Sequence, residues 1–224
     1  MRFTSTKNLS RAGTGVLLIG ALSFAATAHA ELSFHIGAFS DYLDDGESAS
    51  NNNAVVQGGI DYLLDSGFHF GTGLSTLGDG DGQEVELYLG YGFVVGEFDF
   101  DVGYAYSYYP SLDDEDVGEI YGEVAYGPVF FGIDYTIHAD DNGGDSGDIT
   151  YRLGAEYEII QTISLNGEIG YADPDASDEH SVTFWQLGLT KSTDIGAFSL
   201  TYGSTDENGS QDLFVVGYSI RFAD

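Results

Sequence analysis

The chain has 224 residues, with six Lys and Arg against 37 Asp and Glu, a formal net charge of −31 and no cysteine. That balance excludes nucleic-acid binding, which needs basic side chains against phosphate; it disfavours anionic ligands and leaves no disulfide to staple the fold. Disorder, the usual companion of so much like charge, is excluded in turn by an aromatic content of 14% and by regular apolar alternation.

The chain opens with a predicted export signal. Arg2, Lys7 and Arg11 form a basic start, Val16 to Ala26 an apolar core, and Ala28-His29-Ala30 a small-x-small cleavage site, so residues 1–30 are expected to be removed. The apolar run falls short of the roughly 20 residues that a membrane helix needs. The remainder, 31–224, suits one domain and carries three of the six bases against all 37 acids. No other stretch is apolar enough for a membrane helix, and a mean hydropathy of −0.08 fits strands whose apolarity is hidden by alternation.

Twelve strand-like runs follow: Leu32–Ser40, Ala54–Leu63, Phe68–Thr76, Glu84–Val94, Glu97–Tyr109, Val117–Tyr126, Val129–Ala139, Ile149–Ile159, Ile163–Ala172, Ser181–Lys191, Ala197–Thr205 and Asp212–Phe222. Within them one face is apolar and the other small or charged. In the fourth, Val85, Leu87, Leu89, Tyr91 and Phe93 oppose Glu84, Glu86, Tyr88, Gly90 and Gly92. The last run repeats the pattern, with Phe214, Val216, Tyr218, Ile220 and Phe222 on one face. Short connections such as Val95-Gly96 and Gly127-Pro128 strictly interleave with longer acidic ones such as Asp41 to Asn53 and Asp140 to Asp148. Runs of about ten residues cross a bilayer when tilted, and backbone groups in lipid must all be paired, so the sheet must close. The expected fold is therefore all-β: an antiparallel, up-and-down transmembrane β-barrel of about twelve strands, with short periplasmic turns and longer acidic extracellular loops. It would sit in a bacterial outer membrane with both termini periplasmic.

The strings FSDY at Phe39–Tyr42, VVQGGIDY at Val55–Tyr62, FHFGTGLST at Phe68–Thr76, EVELYLGY at Glu84–Tyr91, DVGYAYSYYP at Asp101–Pro110 and GEIYGEVAYGP at Gly118–Pro128 together resemble the TorF-type putative porin family of small proteobacterial outer-membrane barrels. The resemblance covers most of the chain after the signal and implies a small porin-like barrel; it supplies no catalytic or ligand residues. Related chains tend to continue after SDY with an arginine-bearing segment, where this one has Leu43-Asp44-Asp45-Gly46.

The alternation places Asp61, Glu86, Glu97, Asp99, Asp101, Glu119, Glu123, Asp134, Glu156, Glu158 and Glu168 in the lumen with Arg152 and Arg221. Two arginines cannot neutralise so many carboxylates, and unpaired charges need water. The expected function is a porin-like channel for passive diffusion of small cationic or zwitterionic solutes. Its selectivity would come from Asp99, Asp101, Glu119, Glu123, Asp134, Glu156 and Glu168, with Arg152 and Arg221 shaping the passage. A barrel anchoring acidic surface loops is the alternative. Asp113, Asp114 and Asp116, or Asp140, Asp141 and Asp145, would then hold Ca²⁺, although the second set lacks the terminal Glu of a calcium loop. An outer-membrane hydrolase is a further alternative with little support. No catalytic sequence motif is present, His35, His69, His138 and His180 lie on separate segments, and Ser75 and His69 share a face about 20 Å apart. No enzyme activity and no cofactor are expected. Expected partners are outer-membrane lipid and lipopolysaccharide, the barrel-assembly machinery, small solutes and divalent cations.

Overall fold

The computed structural model describes residues 31–78, 82–176 and 180–223. The export signal expected over 1–30 lies outside the described residues. The strands are β1 (Glu31–Phe39), β2 (Leu43–Asp44), β3 (Glu47–Ser48), β4 (Val55–Leu63), β5 (Phe68–Thr76), β6 (Gln83–Val95) and β7 (Phe98–Tyr108), followed by β8 (Val117–Tyr126), β9 (Val129–Ala139), β10 (Ile149–Ile160), β11 (Ile163–Asp173), β12 (Val182–Thr193), β13 (Gly196–Thr205) and β14 (Leu213–Ala223). No helix occurs among the described residues.

Twelve strands form one closed antiparallel barrel, and β2 with β3 forms a separate hairpin inside the first long loop. Closure is made by β1, which pairs with β4 on one side and with β14 on the other, setting Phe34 opposite Phe222 and His35 opposite Arg221. The twelve expected runs match the barrel strands to within about two residues at either end. Boundaries are sharp because the two-residue turns supply what the strand twist demands. Gly96 (φ 68°) and Gly127 (φ 57°) take the left-handed conformation at the first turn position of β6–β7 and β8–β9.

The outer wall is apolar. Ile36, Leu74, Leu87, Leu89, Ile120, Leu153, Leu187 and Phe214 are among its exposed side chains, a surface that calls for lipid rather than water. Aromatic pairs gather toward the rims. At the short-turn rim Phe68 and Tyr91 lie 4.8 Å apart between centroids and Phe98 and Tyr126 5.1 Å; Tyr202 and Phe214 lie 5.1 Å apart nearer the long loops. One expectation changes here. Glu97 lies in the two-residue turn, exposed at the rim, and not on the inner face. It precedes the first ladder pair of β7, Phe98 with Val95, so no strand fixes its direction.

Candidate functional site

The inner face is assembled from positions where long side chains lie across glycines on neighbouring strands. Tyr88 covers Gly71, Tyr121 covers Gly90 and Gly103, and Phe184 covers Gly170; in each case an added Cβ would have no room. This is why glycine alternates with Tyr, Phe and carboxylates on the lumen side of the sequence.

From β6 to β9 the inward positions carry Glu84, Glu86, Asp99, Asp101, Glu119, Glu123 and Asp134. Glu84 and Glu86 are 4% and 5% exposed, which is rare for carboxylates and demands partners or water. Glu84 accepts hydrogen bonds from Tyr42 Oη (2.9 Å), Ser107 Oγ (3.2 Å) and Tyr109. Thr136 Oγ1 donates to Glu119 (3.1 Å) and Gln186 Nε2 to Glu168 (3.0 Å). Nearer the short turns, Asp61 accepts from Ser33 Oγ (3.0 Å) and from Tyr88 Oη, and stands 3.5 Å from both His35 Nδ1 and Arg221 Nη2. His69 Nε2 lies 3.1 Å from Tyr121 Oη and 3.6 Å from Asp101 Oδ1.

The first long loop folds into this lumen. Asp41 receives Ser48 Oγ (2.6 Å) and Ser50 Oγ (2.8 Å), while Ser50 Oγ also accepts from Tyr42 N (3.0 Å), closing the loop on itself. Ser50 is wholly buried. The β2–β3 hairpin turns at Asp45 (φ 42°) and Gly46 (φ 83°), both left-handed as a type I′ turn requires. Leu43 seats against Gly203 of β13 and Gly46 against Ser204. The tip carboxylate, Asp45 Oδ1, meets Arg152 Nη2 at 3.2 Å, while Asp134 holds Nη1 of the same guanidinium. The hairpin thus reaches over the β12–β13 side to β10, narrowing the loop-side half of the lumen. Burial, followed by the neighbouring Asp45 and Glu84 charges, pushes the Asp44 carboxyl well above its ordinary value. Partial burial and then Glu207 raise Glu47. Burial, then the Glu84 charge, also raises Tyr42 and Tyr109, which keeps both phenols protonated donors to Glu84.

Of the residues expected to set selectivity, Glu119, Asp134, Arg152 and Glu168 share the narrowed half with the hairpin. Asp99, Asp101, Glu123, Glu156 and Arg221 lie nearer the short-turn rim, where Glu123, Glu156 and Glu158 are exposed. Sequence reasoning read Glu84 only as the polar face of its strand. It missed the hairpin, although Asp45-Gly46 is a strong two-residue hairpin signal. The acidic loops are tied to one another and to β7. Asp116 accepts from Tyr106 Oη (2.9 Å) and Tyr109 N (3.0 Å), and Asn142 Nδ2 donates to the Asp113 carbonyl (2.9 Å). Among the described residues, no three acidic, His or Cys side chains converge as metal ligands, and Asp113, Asp114, Asp116, Asp140, Asp141 and Asp145 form no such group. His35 and His69 both face inward but in separate clusters. His138, beyond a bulge in β9, stacks on Tyr106 instead, with centroids 6.0 Å apart. Ser75 hydrogen-bonds Gln57 at 3.2 Å.

A family model described as bacterial protein of unknown function, Gcw_chp, matches residues 24–222. No curated protein matches the sequence. Among solved structures, a KdgM porin is similar with a TM-score of 0.57 and 8% identity over 86% of this chain and 98% of that one. A NanC porin is similar with a TM-score of 0.51 and 15% identity over the same shares, 86% and 98%. At these identities the likeness is one of fold: a closed twelve-stranded antiparallel barrel of outer-membrane porin type.

Proposed function

The chain belongs to the Gcw_chp family of bacterial proteins of unknown function, and from that premise we propose that it is an outer-membrane porin-like channel for passive diffusion of small cationic or zwitterionic solutes. One observation carries the reading: a closed wall whose outer face is apolar and whose inner face carries an excess of carboxylates over arginines. An apolar belt belongs in lipid. A carboxylate-rich interior cannot stay dry, since removing ions from water costs several kcal/mol each, so water and its solutes fill it. The resemblance to TorF-type porins points the same way.

A KdgM porin is known in complex with disordered oligogalacturonate, whose sugar units are carboxylates. The lumen described here suits the opposite charge, because Glu84, Glu86, Asp101, Glu119, Glu123 and Asp134 repel an anion along its whole length. On this reading the short turns and both chain termini face the periplasm, and export removes 1–30, so the N-terminal residue of the purified protein is Glu31, where β1 begins. Single-channel recording of the refolded protein across a KCl gradient tests the reading. Discrete cation-selective steps are expected; anion-selective steps, or silence from demonstrably folded barrel, would overturn it.

A further inference from the structure

Arg152 has two carboxylate partners of different kinds. Asp134 belongs to the wall and is 9% exposed at its side chain; Asp45 belongs to a loop tip and is 22% exposed. Both occupy one guanidinium, on separate nitrogens, which is how arginine presents its fork to carboxylates generally. The hairpin carrying Asp45 has two residues per strand, and a two-stranded ribbon has little stability of its own. Its position depends on the seat of Leu43 over Gly203, the approach of Gly46 to Ser204 and the Asp45 contact.

We propose that Arg152 is a carboxylate-binding subsite, that Asp45 occupies it as a built-in ligand, and that the solute it accepts is a zwitterion bearing one carboxylate and one ammonium group. The proposal rests on reading the lumen as a solute passage. If Asp45 leaves, Arg152 still faces Asp134, and Glu119 and Glu168 act on it from β8 and β11. A simple anion taking the vacated nitrogen meets those three carboxylates and is repelled. A simple cation is drawn to the carboxylates but repelled by Arg152, and it cannot replace Asp45. A zwitterion satisfies both, with its carboxylate on Nη2 and its ammonium among the acids. Exchange also frees the hairpin tip, so occupancy of the subsite opens the narrowed half of the lumen. A tethered competitor sets a threshold: the solute must approach the effective concentration of the tip, in the millimolar range for a short tether.

Asp45→Asn tests this cleanly. Asn accepts the left-handed turn conformation, so the hairpin is kept while the carboxylate that Asp45 sets against Arg152 is lost. Glycine, acetate and methylammonium are titrated into the refolded 31–224 barrel in detergent, wild type and variant, by calorimetry. Glycine is expected to bind both, and more tightly to Asp45→Asn, by about 10-fold for a latch closed nine-tenths of the time; acetate and methylammonium bind neither. Equal glycine affinity in the two proteins, no glycine binding, or acetate binding as well as glycine, would overturn the subsite. Arg152→Gln in the Asp45→Asn background should abolish the gain; if it does not fold, the comparison with Asp45→Asn alone decides. Conductance of the same preparations separates the two readings. Glycine binding without conductance sinks the porin and leaves the subsite, and conductance without glycine binding does the reverse.

Discussion

The arc from β6 to β9 and the arc from β12 to β14 share strand length and the same apolar outer face, yet their interiors are opposites. The first presents seven carboxylates interleaved with Tyr88 and Tyr121. The second presents Phe184, Gln186, Gly188 and Thr190, then Ser199, Thr201, Gly203 and Thr205, then Leu213, Val215, Gly217 and Ser219, and its one inward charge is Arg221 at the short-turn end. The loop hairpin shows what the difference does. Its acidic body, Asp44 to Glu47, lies against the neutral arc, where Gly203 leaves space and the inward positions of β12–β14 carry no carboxylate; the acids that still act on it are Glu207 of the neighbouring loop and Glu84 and Glu119 of the acidic arc. It touches the acidic side through neutral Tyr42, which donates to Glu84, and through Arg152, the single base within reach. The lumen is therefore charged on one side and occupied on the other, and the route left for the proposed solute runs along the carboxylates.

The largest effect is expected where the neutral arc is packed. Phe184 has no exposed surface and fills the space over Gly170; Phe184→Ala should cost about 3–5 kcal/mol, read from urea-dependent unfolding in lipid vesicles. Tyr88→Phe on the acidic arc leaves the ring over Gly71 and removes only the bond to Asp61, so its loss should be about 1 kcal/mol. A similar loss for both would mean that the two interiors are packed alike. Next comes the outer face, which the comparison holds to be equal on both arcs. Leu89 and Leu187 are 57% and 53% exposed, and an arginine at either should cost about 2–4 kcal/mol near the midplane. A difference of more than about 1 kcal/mol between them would show that one arc is covered by protein rather than lipid.

A smaller effect is expected from the charges themselves. Asp99→Asn with Asp101→Asn removes two acids from the short-turn end of the acidic arc. A charge about 9 Å from a passing ion in water is worth roughly 0.5 kcal/mol for a cation and the opposite for an anion, so the cation-to-anion permeability ratio should fall about 5-fold per substitution. An unchanged reversal potential would mean that selectivity is set in the half narrowed by the hairpin.

The wall was legible because a two-residue period is a physical requirement of a strand with different solvents on its faces. Val85, Leu87 and Leu89 against Glu84, Glu86 and Tyr88 could not be read another way, and the alternation also placed Asp101, Glu119, Asp134 and Arg152 correctly on the inner face. What periodicity could not show was distance around the barrel. Nothing in the sequence joins Asp45 to Arg152, 107 residues apart, because the contact depends on how far the hairpin reaches across the lumen. The split of the interior into a charged and a neutral arc was visible residue by residue, yet it gained meaning only when closure set β12–β14 opposite β6–β9. Glu97 failed for a local reason: at a turn the alternation stops one residue before the sequence says so.

The finest prediction concerns the hairpin and pH. Asp44 faces Asp45 on its own turn, Glu84 on β6, Glu119 on β8 and Arg152 on β10; all but the arginine disfavour its ionised form, as burial does. Its docked pKa therefore lies above the free value of roughly 3.9. A carboxyl raised by docking favours the docked state in full below its free value, and that preference is lost as pH rises through the docked one. Glu47, raised by burial and Glu207, acts in the same direction. Acidification should thus hold the hairpin in place and reduce open probability, while alkaline solution loosens it. The change for one linked proton is at most about 10-fold per pH unit. Asp44→Asn, which stays uncharged throughout, should flatten that part of the profile and leave the shallower contribution of Glu47. Channels that open further on acidification, or a profile that Asp44→Asn does not alter, would show that the charged arc responds to pH without the hairpin. The contrast between the two sides of the lumen would then govern selectivity alone, with no part in gating.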